Sequence, residues 1–88
     1  MEEVKVYTTS YCGYCHAAKA FLRSLGVAFT EIDVTSDQGM HVKLVEWTRQ
    51  RTVPQIFIGG RAIGGYTDMK ALHAEGALMP LLHGEADA

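Results

Sequence analysis

The chain reads as an α/β domain: a four-stranded mixed sheet with helices on both faces, in the order βαβαββαα. Three observations carry that reading. An alternating β-branched segment passes directly into a helical repeat and back to strand character, a Gly59-Gly60 pair separates two short apolar runs, and glycines stand where helices should stop. A strand–helix–strand run crosses over right-handed and leaves its strands parallel. A two-residue turn leaves its strands antiparallel, so the sheet is mixed. With 88 residues the chain has room for one domain, expected over residues 1–83 with a frayed tail over 84–88.

The first strand is Val4 to Thr9, alternating and rich in β-branched and aromatic side chains. A helix is expected from Gly13 to Leu25, because Ala18, Phe21, Leu22 and Leu25 recur at helical spacing and Gly26 can end it. Val27 to Val34 returns to strand character. Ser36 or Asp37 can cap a second helix that turns Met40, Leu44 and Val45 inward and ends near Arg49. After Pro54, Gln55 to Ile58 and Arg61 to Ile63 form the hairpin, since both glycines between them can take positive φ. Thr67 can cap a third helix through Glu75, stopped by Gly76, and Leu78, Leu81 and Leu82 mark a short fourth.

Composition narrows the function. Hydrophobic residues make up 48% of the chain and charged residues 20%, enough to fill a small core. A net charge of −2 offers no excess of cations to neutralise phosphates, so nucleic acid and anionic membrane are not expected partners. No apolar run approaches the roughly 18–20 residues of a membrane span. The acidic start Met1-Glu2-Glu3 lacks the features of a secretory signal, so the expected location is cytoplasmic, although a processed mature form would read alike.

Cys12 and Cys15 are the whole thiol inventory. A bridge between them would close too short a loop to restrain the unfolded chain much, so the pair reads as reactive or metal-binding. At a strand end where a helix begins, Cys12 meets unpaired N–H groups and the positive end of the helix dipole, which lowers thiol pKa values to roughly 3.5–7.5. Cys15, one turn inside, is the natural resolving thiol. Structural zinc normally takes four N or S ligands, and no second cysteine pair is present. His16, His41, His73 and His83 would have to complete such a site and read more simply as surface residues. No resident metal is expected, with Cys12 as the one ligand if a cluster is shared between chains.

Three motifs taken together are more specific than the cysteines alone. Tyr11-Cys12-Gly13-Tyr14-Cys15, Thr52-Val53-Pro54-Gln55-Ile56-Phe57-Ile58 and Gly64-Gly65-Tyr66-Thr67-Asp68 occur in an order and spacing that closely resemble a dithiol glutaredoxin of the bacterial type, over residues 3–83. The resemblance implies a thioredoxin-like fold and electron transfer from glutathione, as co-substrate, to disulfide and glutathionylated proteins. It implies that Cys12 is the nucleophile and Cys15 the resolving thiol. It further implies a glutathione groove made by Tyr14, Gln50, Thr52, Val53, Pro54, Gly65, Tyr66, Thr67 and Asp68. In the family Pro54 is cis, turning the Val53 backbone outward where a bound peptide can pair with it. Gly65 lets a ligand approach the main chain, while Thr67 and Asp68 offer a helix start to a carboxylate and an ammonium group.

Simpler readings stand beside these. Thr67 and Asp68 would also serve as a helix cap, and Gly64-Gly65 as a turn. Arg49 and Arg51 either meet the glycine carboxylate of glutathione or sit solvated at a helix end, and Trp47 reads as a packing residue away from the motif. The chain departs from its relatives in three places: Gly13 stands where many carry proline, Thr9 where many carry lysine, and the second helix ends without glycine. The glycine raises an alternative function, a [2Fe–2S] cluster held by Cys12 and glutathione from each of two chains, so that the expected monomer has a cluster-bridged dimer as its alternative. An electron donor fed by thioredoxin reductase would have no use for the groove residues.

Overall fold

The computed structural model describes residues 2–84, so the expected tail, Gly84 apart, lies outside the described residues. The elements are β1 (Val4–Thr8), α1 (Gly13–Ser24), β2 (Thr30–Asp33), α2 (Gln38–Thr48), β3 (Gln55–Ile58), β4 (Arg61–Gly64), α3 (Tyr66–Ala74) and α4 (Leu78–Leu82). The sheet order is β2-β1-β3-β4. β1 runs parallel to β2 and antiparallel to β3, which runs antiparallel to β4.

Strand alternation sorts the side chains onto the two faces of this sheet. Val4 and Val6 on β1, with Ile56 and Ile58 opposite them on β3, join Ala18, Leu22, Met69, Leu78 and Leu82 in the larger core. Tyr7 and Phe57 point the other way and meet Leu44 of α2, with Met40 and Ile32 beside them. Thus α1, α3 and α4 cover one face and α2 the other. Tyr7 and Phe57 pack edge to face with centroids 5.4 Å apart.

Helix ends follow the local chemistry with some corrections. Leu25 caps α1 and Gly26 takes φ 71°; the N–H of Gly26 bonds to Arg23 O at 3.0 Å and that of Val27 to Leu22 O at 3.0 Å. This pair of bonds satisfies carbonyls that the helix end leaves open. It also takes Val27 out of the expected strand over 27–34, so β2 begins only at Thr30; β1 likewise ends at Thr8 rather than Thr9. Gly76 and Ala77 close α3 with the same two bonds, to His73 O and Leu72 O.

Asp37, not Ser36, caps α2, its Oδ1 accepting the Met40 N–H at 3.0 Å. At the end of that helix Arg49 itself adopts φ 60°, a conformation that costs an ordinary residue about 1–2 kcal/mol. α3 begins earlier than expected, with Gly65 as its cap and Thr67 already inside. The reason is Asp68, whose Oδ2 accepts the Gly65 N–H at 2.9 Å. In the hairpin Gly59 and Gly60 take φ 58° and 81°, and the pairing of Phe57 with Ala62 but Ile56 with Gly64 leaves Ile63 as a bulge.

Gly13 is the first residue of α1, and a Cβ there would meet nothing within 4 Å. Cys12 before it is extended, at φ −99° and ψ 113°, as a residue preceding proline prefers. Gly13→Pro should therefore raise stability by about 0.4–1 kcal/mol by restricting the unfolded chain at a position that suits proline. A urea denaturation curve measures this, and a destabilised Gly13→Pro would mean that the glycine serves a backbone geometry proline cannot match.

Candidate active site

β1 aims the chain across the sheet, and the turn after it delivers Cys12 to the start of α1. As the cap of that helix, Cys12 accepts the Cys15 N–H on its Sγ at 3.1 Å. The same sulfur lies 3.4 Å from the Val53 carbonyl, to which the thiol donates. The sulfur thus receives an N–H from the first turn of its own helix and donates to a carbonyl of a segment 41 residues away.

Cys15 is placed oppositely. It is 1% exposed, within the core side of α1. Burial above all, then the Cys12 side chain, pushes its thiol from the ordinary 9.0 up to about 12, against a lowering backbone hydrogen bond from Thr9 and the positive charge of Lys19. One sulfur is thus partly exposed and the other keeps its proton.

Beside the Val53 contact opens a cleft of about 750 Å³. Its wall on one side is the segment after α2, with Gln50, Thr52, Val53 and Pro54. Opposite stand Gly65, Tyr66, Thr67 and Asp68 at the start of α3, and Tyr14 comes from α1. Every groove position anticipated from the motifs lines this one cleft. The Val53–Pro54 peptide is cis. Tyr14 and Tyr66 stack with centroids 6.1 Å apart, and Lys70 Nζ sits 5.6 Å over the Tyr66 ring.

The tertiary arrangement adds residues the motifs did not single out. Trp47, read as remote from the motif, lines the cleft while also meeting Phe57 edge to face at 6.4 Å; it is 56% exposed. Gln55, already inside the second motif, is buried, and its signal was a polar residue where the strand pattern turns inward. Gly64 has φ 106°, and a Cβ there would collide with the Asp68 carboxylate, so this glycine makes the space in which Asp68 reaches Gly65. A Cβ at Gly65 would come to 3.4 Å from Pro54 O, so the two walls approach to about van der Waals contact there.

Other expected residues stand apart. Arg49 and Arg51 are exposed and outside the cleft lining. His16, His73 and His83 are exposed, and His73 packs edge-on against Phe21 at 5.2 Å. Among the described residues no group of three or more His, Cys, Asp or Glu side chains is placed to hold a metal ion. Thr9 is buried, and its Oγ1 makes no hydrogen bond among the described residues. Lys19, one turn beyond Cys15, bonds to Glu31 Oε2 at 2.8 Å, and Thr8 Oγ1 donates to the same oxygen at 2.8 Å. These two bonds hold the Glu31 carboxyl below its usual range.

A mixed sheet of this order with a cysteine pair at the first strand–helix junction defines a thioredoxin-like protein. Comparison with known proteins narrows the class. The glutaredoxin family model matches residues 4–63. Glutaredoxin 3 of Escherichia coli K12 is 44% identical over 82 residues, covering 93% of this chain and 99% of its own. Glutaredoxin-C2 of Arabidopsis thaliana is 47% identical over 85 residues, covering 92% and 76%. The crystal structure of a buckwheat glutaredoxin–glutathione complex superposes with a TM-score of 0.89 at 35% identity, covering 94% of this chain and 78% of that one. The chain belongs to the glutaredoxin family, enzymes of glutathione-dependent thiol–disulfide exchange. No helix among the described residues is long and apolar enough to cross a membrane.

The unequal thiols predict a pH dependence. In the reduced protein, the stability tied to the neutral Cys15 is fully present below pH 9.0 and is lost as pH rises toward about 12, because the unfolded chain releases the proton first. The added slope approaches about 1.4 kcal/mol per pH unit in that window. Denaturation curves of the wild type and Cys15→Ser, taken between pH 8 and 11, should diverge accordingly. Parallel curves would show that burial does not hold the proton on Cys15.

Proposed function

We propose that Cys12 is the nucleophile and Cys15 the resolving thiol of a glutathione-dependent oxidoreductase acting on glutathione mixed disulfides and protein disulfides. The observation that carries this reading is the Cys12 sulfur, partly exposed at the start of α1 and touching the Val53 carbonyl, next to a cleft lined by all of the anticipated groove residues.

With a glutathionylated protein, the Cys12 thiolate attacks the glutathione sulfur. A Cys12–glutathione disulfide forms, and the protein thiolate leaves and takes up a proton. A second glutathione thiolate then attacks the glutathione sulfur of that disulfide, releasing glutathione disulfide and the Cys12 thiolate. With a protein disulfide, Cys12 forms a mixed disulfide with the protein. Cys15 gives up its proton and attacks the Cys12 sulfur, freeing the second protein thiolate. The resulting Cys12–Cys15 disulfide is returned to the dithiol by two glutathione molecules, which leave as glutathione disulfide.

Glutathione fits the cleft by its chemistry. Its cysteinyl backbone pairs with Val53, leading its sulfur to Cys12. Its γ-glutamyl carboxylate meets the start of α3 near Thr67 and Asp68, where helix N–H groups favour an anion. The ammonium group meets the Asp68 carboxylate, of which one oxygen is engaged by Gly65. Tyr14 and Tyr66 flank the peptide, with Gln50, Thr52, Pro54 and Gly65 completing the walls. Thiol exchange of this kind suits a reducing compartment, the cytoplasm.

The alternative of a [2Fe–2S] cluster bridging two chains through Cys12 has no observation in its favour. Gly13, which raised it, faces open space at the first helical position.

Two experiments test the assignment. Cys12→Ser should lose all activity on a glutathionylated substrate, whereas Cys15→Ser should keep it and lose the reduction of protein disulfides. Activity surviving in Cys12→Ser rejects the proposal. Asp68→Ala should raise the KM for glutathione at least about tenfold, in line with a charge-assisted contact of about 1.5–3 kcal/mol, while costing only about 1 kcal/mol of stability as a lost cap. Quenching of Trp47, the single tryptophan and a cleft residue, gives an independent binding curve. An unchanged KM beside a large stability loss would leave Asp68 with the capping role alone.

A further inference from the structure

The wall of the cleft formed by residues 50–54 belongs to no helix or strand, so something other than a backbone ladder must fix its path. Gln55 does so from the first position of β3. Its side chain is buried, with 4% of the residue exposed, and its Nε2 donates both hydrogens backwards: to Gln50 O at 2.9 Å and to Thr52 O at 2.9 Å. At the other end of the segment the Gln50 N–H bonds to Thr48 Oγ1 at 3.1 Å, while that hydroxyl donates to Leu44 O at 2.8 Å. Arg49 lies between, in its left-handed conformation.

We propose that Gln55 is a positioning residue: its carboxamide clamps the 50–52 backbone and thereby sets the distance between the two walls of the cleft and the place of the Val53 carbonyl at Cys12. The proposal rests on the reading of the cleft as a glutathione site. Gln50 and Thr52, whose carbonyls Gln55 holds, both line the cleft. Two carbonyls require two donors on one planar group, which a glutamine amide supplies and a carboxylate does not. Glutamate at this position would set its oxygens against both carbonyls, and leucine would leave them unpaired.

The test uses Gln55→Leu, which removes the donors with similar volume, and the isosteric Gln55→Glu, which carries the same test if the leucine variant does not fold. Loss of two hydrogen bonds should raise the KM for glutathione about tenfold in either variant, with kcat within about threefold. Arg51 puts a trypsin site inside the clamped segment and Arg49 one at its edge, so limited proteolysis supplies a readout that needs no glutathione. Cleavage after these two residues should accelerate about tenfold, with cleavage after Lys19, Arg23 and Lys70 unchanged, because the opening is local. Equal acceleration at every site would overturn the clamp and leave Gln55 with a general structural role. A saturable wild type whose variants show unaltered KM and proteolysis would overturn the clamp and leave the glutathione reading standing. Selective cleavage in the variants of a protein that glutathione does not saturate would uphold the clamp and overturn that reading.

Discussion

The sulfur of Cys12 sits between a donor and an acceptor from distant parts of the chain, the Cys15 N–H and the Val53 carbonyl. The rest of the structure can be understood as the means of bringing those groups together. The donor exists because α1 starts at Gly13 and leaves its first N–H groups unpaired. The acceptor arrives because β3 pairs antiparallel with β1 and carries the segment before it alongside the helix start. Either contact alone is a weak interaction; jointly they tie the first strand–helix unit to the segment before the hairpin at the proposed nucleophile.

The two faces of the sheet divide the work. The larger core, under α1, α3 and α4, fixes the helix starts that supply Cys12 and the Gly65–Asp68 wall. The smaller core, under α2, fixes the opposite wall through Leu44 and Phe57, and Trp47 extends from it into the cleft. The cleft lies where these two units meet. Its polar groups are consequently held by short connections: Gly65 by Asp68, Gln50 by Thr48, and Thr52 by Gln55.

The two thiols differ because of one helical turn. Cys12 precedes the helix and is reached by solvent, while Cys15 projects into the core, where a thiolate would lose its hydration. The cation that acts on Cys15 is Lys19, itself tied to Glu31. Thr9 is buried, and its hydroxyl has no hydrogen-bond partner among the described residues.

The sequence by itself determined the order of the elements, the glycine stops of α1 and α3 and the hairpin at Gly59-Gly60, because each follows from neighbours within a few residues. It also held the cysteine pair and the groove motifs, whose members the structure gathers around one cleft. Boundaries moved where two local signals competed: Val27 had strand character but was taken by the bonds that close α1, and Thr67 resembled a cap until Asp68 reached back to Gly65. Only the tertiary structure decided that Trp47 borders the cleft, that Gly64 leaves room for the Asp68 carboxylate and that Gln55 bonds to Gln50 and Thr52. The place of Trp47 depends on how α2 packs against the sheet, a matter between elements that no local pattern encodes; the other two join residues close in sequence, but through the exact path of the backbone between them, which residue type alone does not specify.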